Sequence, residues 1–307
     1  MFWISCKSNK KIVQLIVIKI FGGLGNQMFQ YAFGKALSKK HKTELYLDLS
    51  WFEENTNSTV RKFQLDLFNT KYFIADKKII KRYKPLLYKS LNTALIKLKI
   101  GKLQLPKYFI ENSIAYNDSI NLINKNSYVN GYWQSEKYFQ DISCDLRSDF
   151  SLKHQYLAEI NNSLLKQIHD FESIAVHIRR SDYNYKQNID IHGILPITYY
   201  EDSMKFITEK LKNPVFFVFS DDIEWAKKII KCEGRKIEYI TNNPNYIDLF
   251  LNAECKHHII ANSTFSWWSA WLNSSANKII IAPKKWYNNE SMNNQTIDLI
   301  PESWFRI

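Results

Sequence analysis

From Ile12 to Ile20 every position but Gln14 and Lys19 is apolar, and most are β-branched. This is the pattern of a strand buried on both faces. The run ends in Phe21-Gly22-Gly23-Leu24-Gly25-Asn26-Gln27, a tight turn, and from Met28 to Lys40 the period changes to that of a helix, with Met28, Tyr31, Ala32, Lys35 and Ala36 on one side. Glu44 to Leu49 alternates again as a second strand and carries Asp48. Strand, glycine turn, helix and strand in that order predict the start of a parallel α/β layer.

Between Asn55 and Asn126 the pattern is less regular, with helices predicted near Lys77 to Ser90 and Thr93 to Lys99. Tyr128 to Trp133 reads as a strand, Ser135 to Phe139 as a helix start, and His154 to His169 as one long amphipathic helix. A second alternation follows. Strands are predicted at Ser173–Ile178, Pro214–Phe219, Lys236–Ile240, His258–Ala261 and Lys278–Ala282. Between them lie helices at Pro196–Leu211 (Thr198 as N-cap, Glu201 three residues on), Glu224–Cys232, Ile247–Ala253 and Phe265–Leu272. The simplest architecture is two Rossmann-like domains facing each other across a cleft, residues 1–153 and 154–307.

Composition narrows the class. Hydrophobic residues at 45% and charged residues at 23% describe an ordinary globular chain. A net charge of +12 is compatible with nucleic acid, an anionic membrane surface or a phosphorylated ligand. The lysines and arginines form no long run, which favours a solvated face with weak lipid adhesion over a nucleic-acid site. Cys6, Cys144, Cys232 and Cys255 lack metal-ribbon spacing and fit a reducing compartment. His257 and His258 head a strand and read as structural. The apolar run Ile12–Ile20 is too short to span a bilayer and makes a poor signal peptide, so a cytoplasmic protein, peripheral at most on the inner membrane face, is expected. On that expectation the sequons at Asn57 and Asn262 are chance matches.

Four segments stand at carboxyl ends of predicted strands, where open α/β sheets bind ligands. In the first, Gly22 to Gln27, the dinucleotide fingerprint fails because Met28 occupies its third glycine position. Asn26 and Gln27 are polar and sit where a helix exposes its N–H groups. In the second, His177-Ile178-Arg179-Arg180-Ser181-Asp182-Tyr183, two arginines leave a buried strand together. Their planar forks suit bidentate contact with phosphate oxygens and can offset the charge that grows on a departing nucleoside diphosphate. The aspartate-x-aspartate motif through which many transferases hold a metal is absent from the sequence, so no metal or cofactor is expected. The third, Phe219-Ser220-Asp221-Asp222, offers a carboxylate able to accept from guanine N1–H and N2–H, or an N-cap for the following helix. The fourth, Asn262-Ser263-Thr264-Phe265-Ser266-Trp267-Trp268, gathers hydroxyls and N–H groups at a helix start; its tryptophans read as core.

Together these segments resemble family 11 glycosyltransferases, the α-1,2-fucosyltransferases of bacteria and animals. Ser181 stands where the family has glycine, a departure that leaves the charged residues intact. The resemblance implies a GT-B fold, GDP-fucose as donor, no metal, and inversion from a β-linked donor to an α-linked product. It places Arg179 and Arg180 on the diphosphate, with Ser263, Thr264 and Phe265 beside it, and His177 and Asp221 on the guanosine. Gly23, Asn26, Gln27 and Asn262 complete the expected donor site. The expected acceptor is the 2-OH of a terminal β-galactoside on an oligosaccharide or lipid-linked glycan. The arginine motif is shared with α-1,6-fucosyltransferases, so an α-1,6 or α-1,3 linkage stays open. A carboxylate or imidazole could take the acceptor's proton. Asp182 is the first candidate, unless it braces the arginines; Asp190 and His192 follow. An NAD oxidoreductase built on Gly23, Gly25 and Asp48, or a basic nucleic-acid-binding protein, leaves the paired arginines unexplained.

Overall fold

The structure, a computed structural model, describes residues 14–54, 61–83, 107–180, 193–231 and 234–307. The expected helix Thr93–Lys99, Cys6, Cys232 and Asn57 lie outside the described residues.

Two parallel sheets carry the chain. The first has the order β3-β2-β1-β5-β4, from β1 (Leu15–Lys19), β2 (Glu44–Asp48), β3 (Phe73–Ile74), β4 (Tyr108–Ile110) and β5 (Ser127–Asn130). The second has the order β11-β10-β9-β6-β7-β8, from β6 (Glu172–Ile178), β7 (Pro214–Ser220), β8 (Lys236–Ile240), β9 (His257–Ile259), β10 (Ile280–Ala282) and β11 (Phe305–Arg306). Counted from β6, the second sheet has the doubly wound 3-2-1-4-5-6 order, which switches direction between β6 and β9. The first switches between β1 and β5. Ligand crevices open at the carboxyl ends of such neighbours. The continuous apolar runs of β1, β6 and β7 follow from burial on both faces.

Helix α1 (Leu24–His41) follows β1, and its Phe29 lies 4.5 Å from the ring of Trp267 and 4.9 Å from that of Trp268. Both tryptophans are fully buried, as core residues. Side chains of this size, fully buried, each contribute on the order of 1.5–3 kcal/mol. This aromatic block joins the two halves through their helices. The segment after β10 crosses back: Trp267 Nε1 donates to Leu299 O (2.7 Å), Ser135 Oγ to Asp298 O (2.7 Å), and Lys137 pairs with Asp298 at 2.6 Å.

Several elements differ from their expected bounds. The helix expected over His154–His169 is two pieces, His154–Leu157 and Asn162–Asp170. The Asn161 side chain accepts from the N–H groups of Ser163 and Leu164 and restarts the helix there. The helix after Pro196 is Ile197–Thr208, with Pro196 at the cap position, so Thr198 lies in its first turn. Strand β5 stops at Asn130 because Gly131 and left-handed Trp133 (φ 56°) turn the chain away. The helix expected at Ser135–Phe139 is a single 3-10 turn, Glu136–Tyr138, capped by Ser135. The described part of the helix expected from Lys77 is Lys77–Tyr83.

Candidate active site

Parallel register brings the second and third motifs together. Ile178 of β6 lies opposite Ser220 of β7, so Arg179-Arg180 and Asp221-Asp222 leave the sheet side by side. Arg179 Nη1 pairs with Asp221 Oδ2 at 3.1 Å, and Arg180 Nε with Asp222 Oδ2 at 3.4 Å. Asp221 Oδ1 also accepts from the main-chain N–H of Arg180 (2.8 Å), and the Arg180 guanidinium lies 3.8 Å above the ring of Trp225. Asp222 in turn caps helix Ile223–Ile229 through Trp225 N. Asp221 and Asp222 thus brace both arginines. Asp182, Asp190 and His192 lie outside the described residues.

The switch point of the second sheet lies between these arginines and the fourth motif. Ser263 caps helix Thr264–Leu272, its hydroxyl accepting from Phe265 N at 3.3 Å. His177 stacks on Phe265 with ring centroids 5.2 Å apart. Burial, then the charge of Arg179, lowers the His177 pKa to about 3, so its imidazole is neutral near pH 7. His177 Nδ1 is buried and meets no hydrogen-bond partner among the described residues. Asn262 is buried and braces a neighbouring loop, donating to Trp286 O at 3.1 Å and Gly193 O at 3.4 Å.

The first motif comes from the other half. Gly22 has φ +79°, a conformation that favours glycine. Gly25 touches the fourth motif directly: a Cβ there would lie 2.5 Å from Thr264 C and 2.7 Å from Phe265 N. The N-termini of α1 and of helix Thr264–Leu272 thus converge, each bringing the positive end of a helix dipole. The α1 cap, Gly23, contributes no side-chain bond. Asn26 Oδ1 accepts from Gln134 Nε2 at 2.9 Å. Gln27, expected on the donor, is fully buried: its amide donates to Gly22 O and Lys62 O and accepts from Gln64 N. It holds the loop in shape. Asp48 is also committed internally, accepting from Ser50 N and the Tyr128 hydroxyl, which leaves the dinucleotide reading without its ribose ligand.

A crevice of about 360 Å³ continues from the third motif, between the ends of β7 and β8, lined by Ser220, Ile223, Lys227, Asn243 and Asp248 among others. Burial pushes the Asp248 carboxyl up to about 6, although Asn243 donates to it at 3.0 Å. Among the described residues no group of three His, Cys, Asp or Glu side chains gathers as a metal site would need, and no helix is long and apolar enough to cross a membrane. His257 is buried and bonded to Glu172, the structural role expected for it.

Two doubly wound parallel sheets, with paired arginines after β6 and two helix N-termini in contact at Gly25 and Thr264, form a GT-B fold. The profile of Glycosyl transferase family 11 matches residues 15–307, and the chain belongs to that family. It is 38% identical over 306 residues to the alpha-1,2-colitosyltransferase of Escherichia coli, covering 96% of this chain and 99% of the relative. To the O-antigen biosynthesis glycosyltransferase WbnK of Escherichia coli it is 33% identical over 315 residues, covering 93% and 98%. To galactoside alpha-(1,2)-fucosyltransferase 1 of Lagothrix lagotricha it is 26% identical over 155 residues, covering 47% and 42%.

Proposed function

We propose that this glycosyltransferase moves L-fucose from GDP-β-L-fucose to the 2-OH of a terminal β-galactoside, inverting the anomeric centre. The donor would sit on the half formed by residues 154–307, and an oligosaccharide or lipid-linked acceptor on residues 1–153. The observation that carries the reading is that Arg179 and Arg180 are held at the end of β6, beside β9, whose following helix Thr264–Leu272 begins in contact with Gly25. As the bond from C1 to the diphosphate breaks, negative charge grows on the leaving oxygen. Fixed guanidinium groups and N–H donors stabilise that charge without reorganising. Asp221 and Asp222 hold the guanidinium groups at the cleft before the donor arrives. Guanosine would lie against neutral His177, whose Nδ1 would gain a partner. Asp221 would also accept from the guanine N–H donors.

A second donor reading is favoured by the 38% identity over nearly the full length of an alpha-1,2-colitosyltransferase. Colitose is L-fucose without its 3-hydroxyl, so the same diphosphate site serves both sugars. Purified enzyme supplied with GDP-fucose or GDP-colitose and with lactose as acceptor, followed by NMR assignment of the new linkage, tests both readings. Fucosylation at the galactose 2-OH supports the first. Preference for GDP-colitose replaces the donor, an α-1,3 or α-1,6 product replaces the linkage, and no release of GDP with either donor refutes the reading. A salt-released membrane fraction is the result expected if the basic surface meets anionic lipid.

A further inference from the structure

The first sheet has its own switch point, and a carboxylate is built into its rim. Glu111 follows β4 at the carboxyl end. Its Oε2 accepts from Tyr132 N at 2.6 Å and its Oε1 from Trp133 N at 3.0 Å. Successive N–H groups beside a left-handed residue, here Trp133, form a cradle for an anion. The Glu111 side chain lies across Gly131, where a Cβ would be 2.3 Å from Glu111 Cβ and 2.8 Å from Oε2. The carboxylate is thereby fixed at the end of β5, the strand that flanks the switch point with β1.

Two aromatic residues connect this place to the donor motifs. The Tyr132 ring, from a residue 45% exposed, packs edge-on against Phe21 at 4.9 Å, and Phe21 immediately precedes Gly22. From the second half, Tyr287 is close enough to Glu111 and Tyr132 to interact electrostatically with both, and it follows Trp286, whose carbonyl holds Asn262. Glu111 thus sits between one arm that leads to the glycine loop and another that leads to the fourth motif. Phe21, Trp51 and Tyr132 offer aromatic faces of the kind that stack on a sugar ring.

We propose that Glu111 is the general base that takes the proton from the acceptor hydroxyl. The assignment rests on the glycosyl-transfer reading above and selects Glu111 over Asp182, Asp190 and His192. As the acceptor oxygen forms its bond to C1 of the donor sugar, its proton passes to a Glu111 carboxylate oxygen. The bond from C1 to the diphosphate breaks, and its electron pair leaves on GDP beside Arg179 and Arg180. Burial raises the Glu111 carboxyl to about 7 against the two N–H groups that lower it, so the base is poised near neutral pH. Among the described residues, the ionisable groups facing it are the phenols of Tyr132, Tyr138 and Tyr287, all raised chiefly by burial and therefore neutral there.

The test compares wild type with Glu111→Gln and Glu111→Asp, using GDP-fucose or GDP-colitose with lactose. Transfer by Glu111→Gln should fall about 10²–10⁴-fold, the range for loss of a general base, while GDP affinity by calorimetry stays within about twofold. Wild-type kcat should lose activity as pH falls below about 7, and that limb should vanish from the residual activity of Glu111→Gln. Glu111→Asp should recover part of the rate. Transfer by Glu111→Gln within about threefold of wild type, or loss of GDP binding in step with transfer, overturns the proposal. If Glu111→Gln fails to fold, the wild-type profile decides, and a kcat flat from pH 5.5 to 8.5 overturns it. A wild type that transfers neither sugar overturns both readings; a transferring wild type with an unimpaired variant overturns the base alone.

Discussion

Replacing Gly25 with alanine tests the closest approach between the two halves. The added Cβ would lie 2.5 Å from Thr264 C, 2.6 Å from Thr264 Oγ1 and 2.7 Å from Phe265 N. Two of those atoms are main chain and cannot swing aside. Ordinary contact begins near 3.4 Å, so the helix ends must separate by about 0.9 Å. That movement also strains the Phe29–Trp267 and Phe29–Trp268 contacts. Overpacking of this kind costs about 1–3 kcal/mol. A misplacement of about 1 Å in a catalytic constellation can cost about 10²-fold in rate. Gly25→Ala should therefore lower the urea midpoint, weaken GDP binding and cut turnover by about 10²-fold. Gly34→Ala is the control, because its Cβ would meet side-chain atoms within the core, Leu45 Cδ1 at 2.8 Å, Ile18 Cγ2 at 3.0 Å and Ile18 Cβ at 3.4 Å, and none of the fourth motif. It should lose stability while GDP affinity holds. Gly23→Ala has open space, with Arg61 Nη1 nearest at 3.9 Å, and should keep its stability. A Gly25→Ala protein with wild-type GDP affinity and turnover would refute the claim that these helix ends must touch.

Lysine at Arg179 or Arg180 keeps the charge and loses the planar fork, so each variant should lose about 10²–10³ in kcat, measured by GDP release. Near-normal turnover in both would remove the arginines from the chemistry. Activity should survive excess EDTA; complete loss restored by manganese would show that a metal shares the diphosphate's charge. Asp248 has a folded pKa of about 6 against an ordinary 3.8, so the native state holds its proton more tightly than the unfolded chain. Its contribution is therefore most favourable at low pH and is lost as pH rises through about 6. Asp248→Asn should raise the melting temperature more at pH 7.5 than at pH 4.5, and an equal shift at both would show that the carboxyl carries no burial penalty.

Local pattern determined much of this protein. Apolar runs at Ile12–Ile20 and Ser173–Ile178, each ending in residues of special chemistry, announced parallel strands with ligand loops at their carboxyl ends. The order of four such motifs was enough to mark the family. Helix boundaries were less legible where a side chain competes with the backbone, as Asn161 does within the run read as one helix. The roles of individual polar residues were decided by tertiary structure. Asp221 and Asp222 are each 42 positions from the arginine they pair with, and only the β6–β7 register brings them together. Gln27 looked like a donor ligand by position, but the fold buries it against the chain at Lys62 and Gln64. Glu111 carried no sequence signal at all, being a single carboxylate in an irregular stretch. Its meaning comes from Gly131, Trp133 and Tyr287, which lie near it only once both sheets have formed. Periodicity reports which face of an element is buried, because that depends on neighbours within a few residues. Which polar group meets which depends on strand register and on the packing of one half against the other, and those are set by contacts across the whole chain.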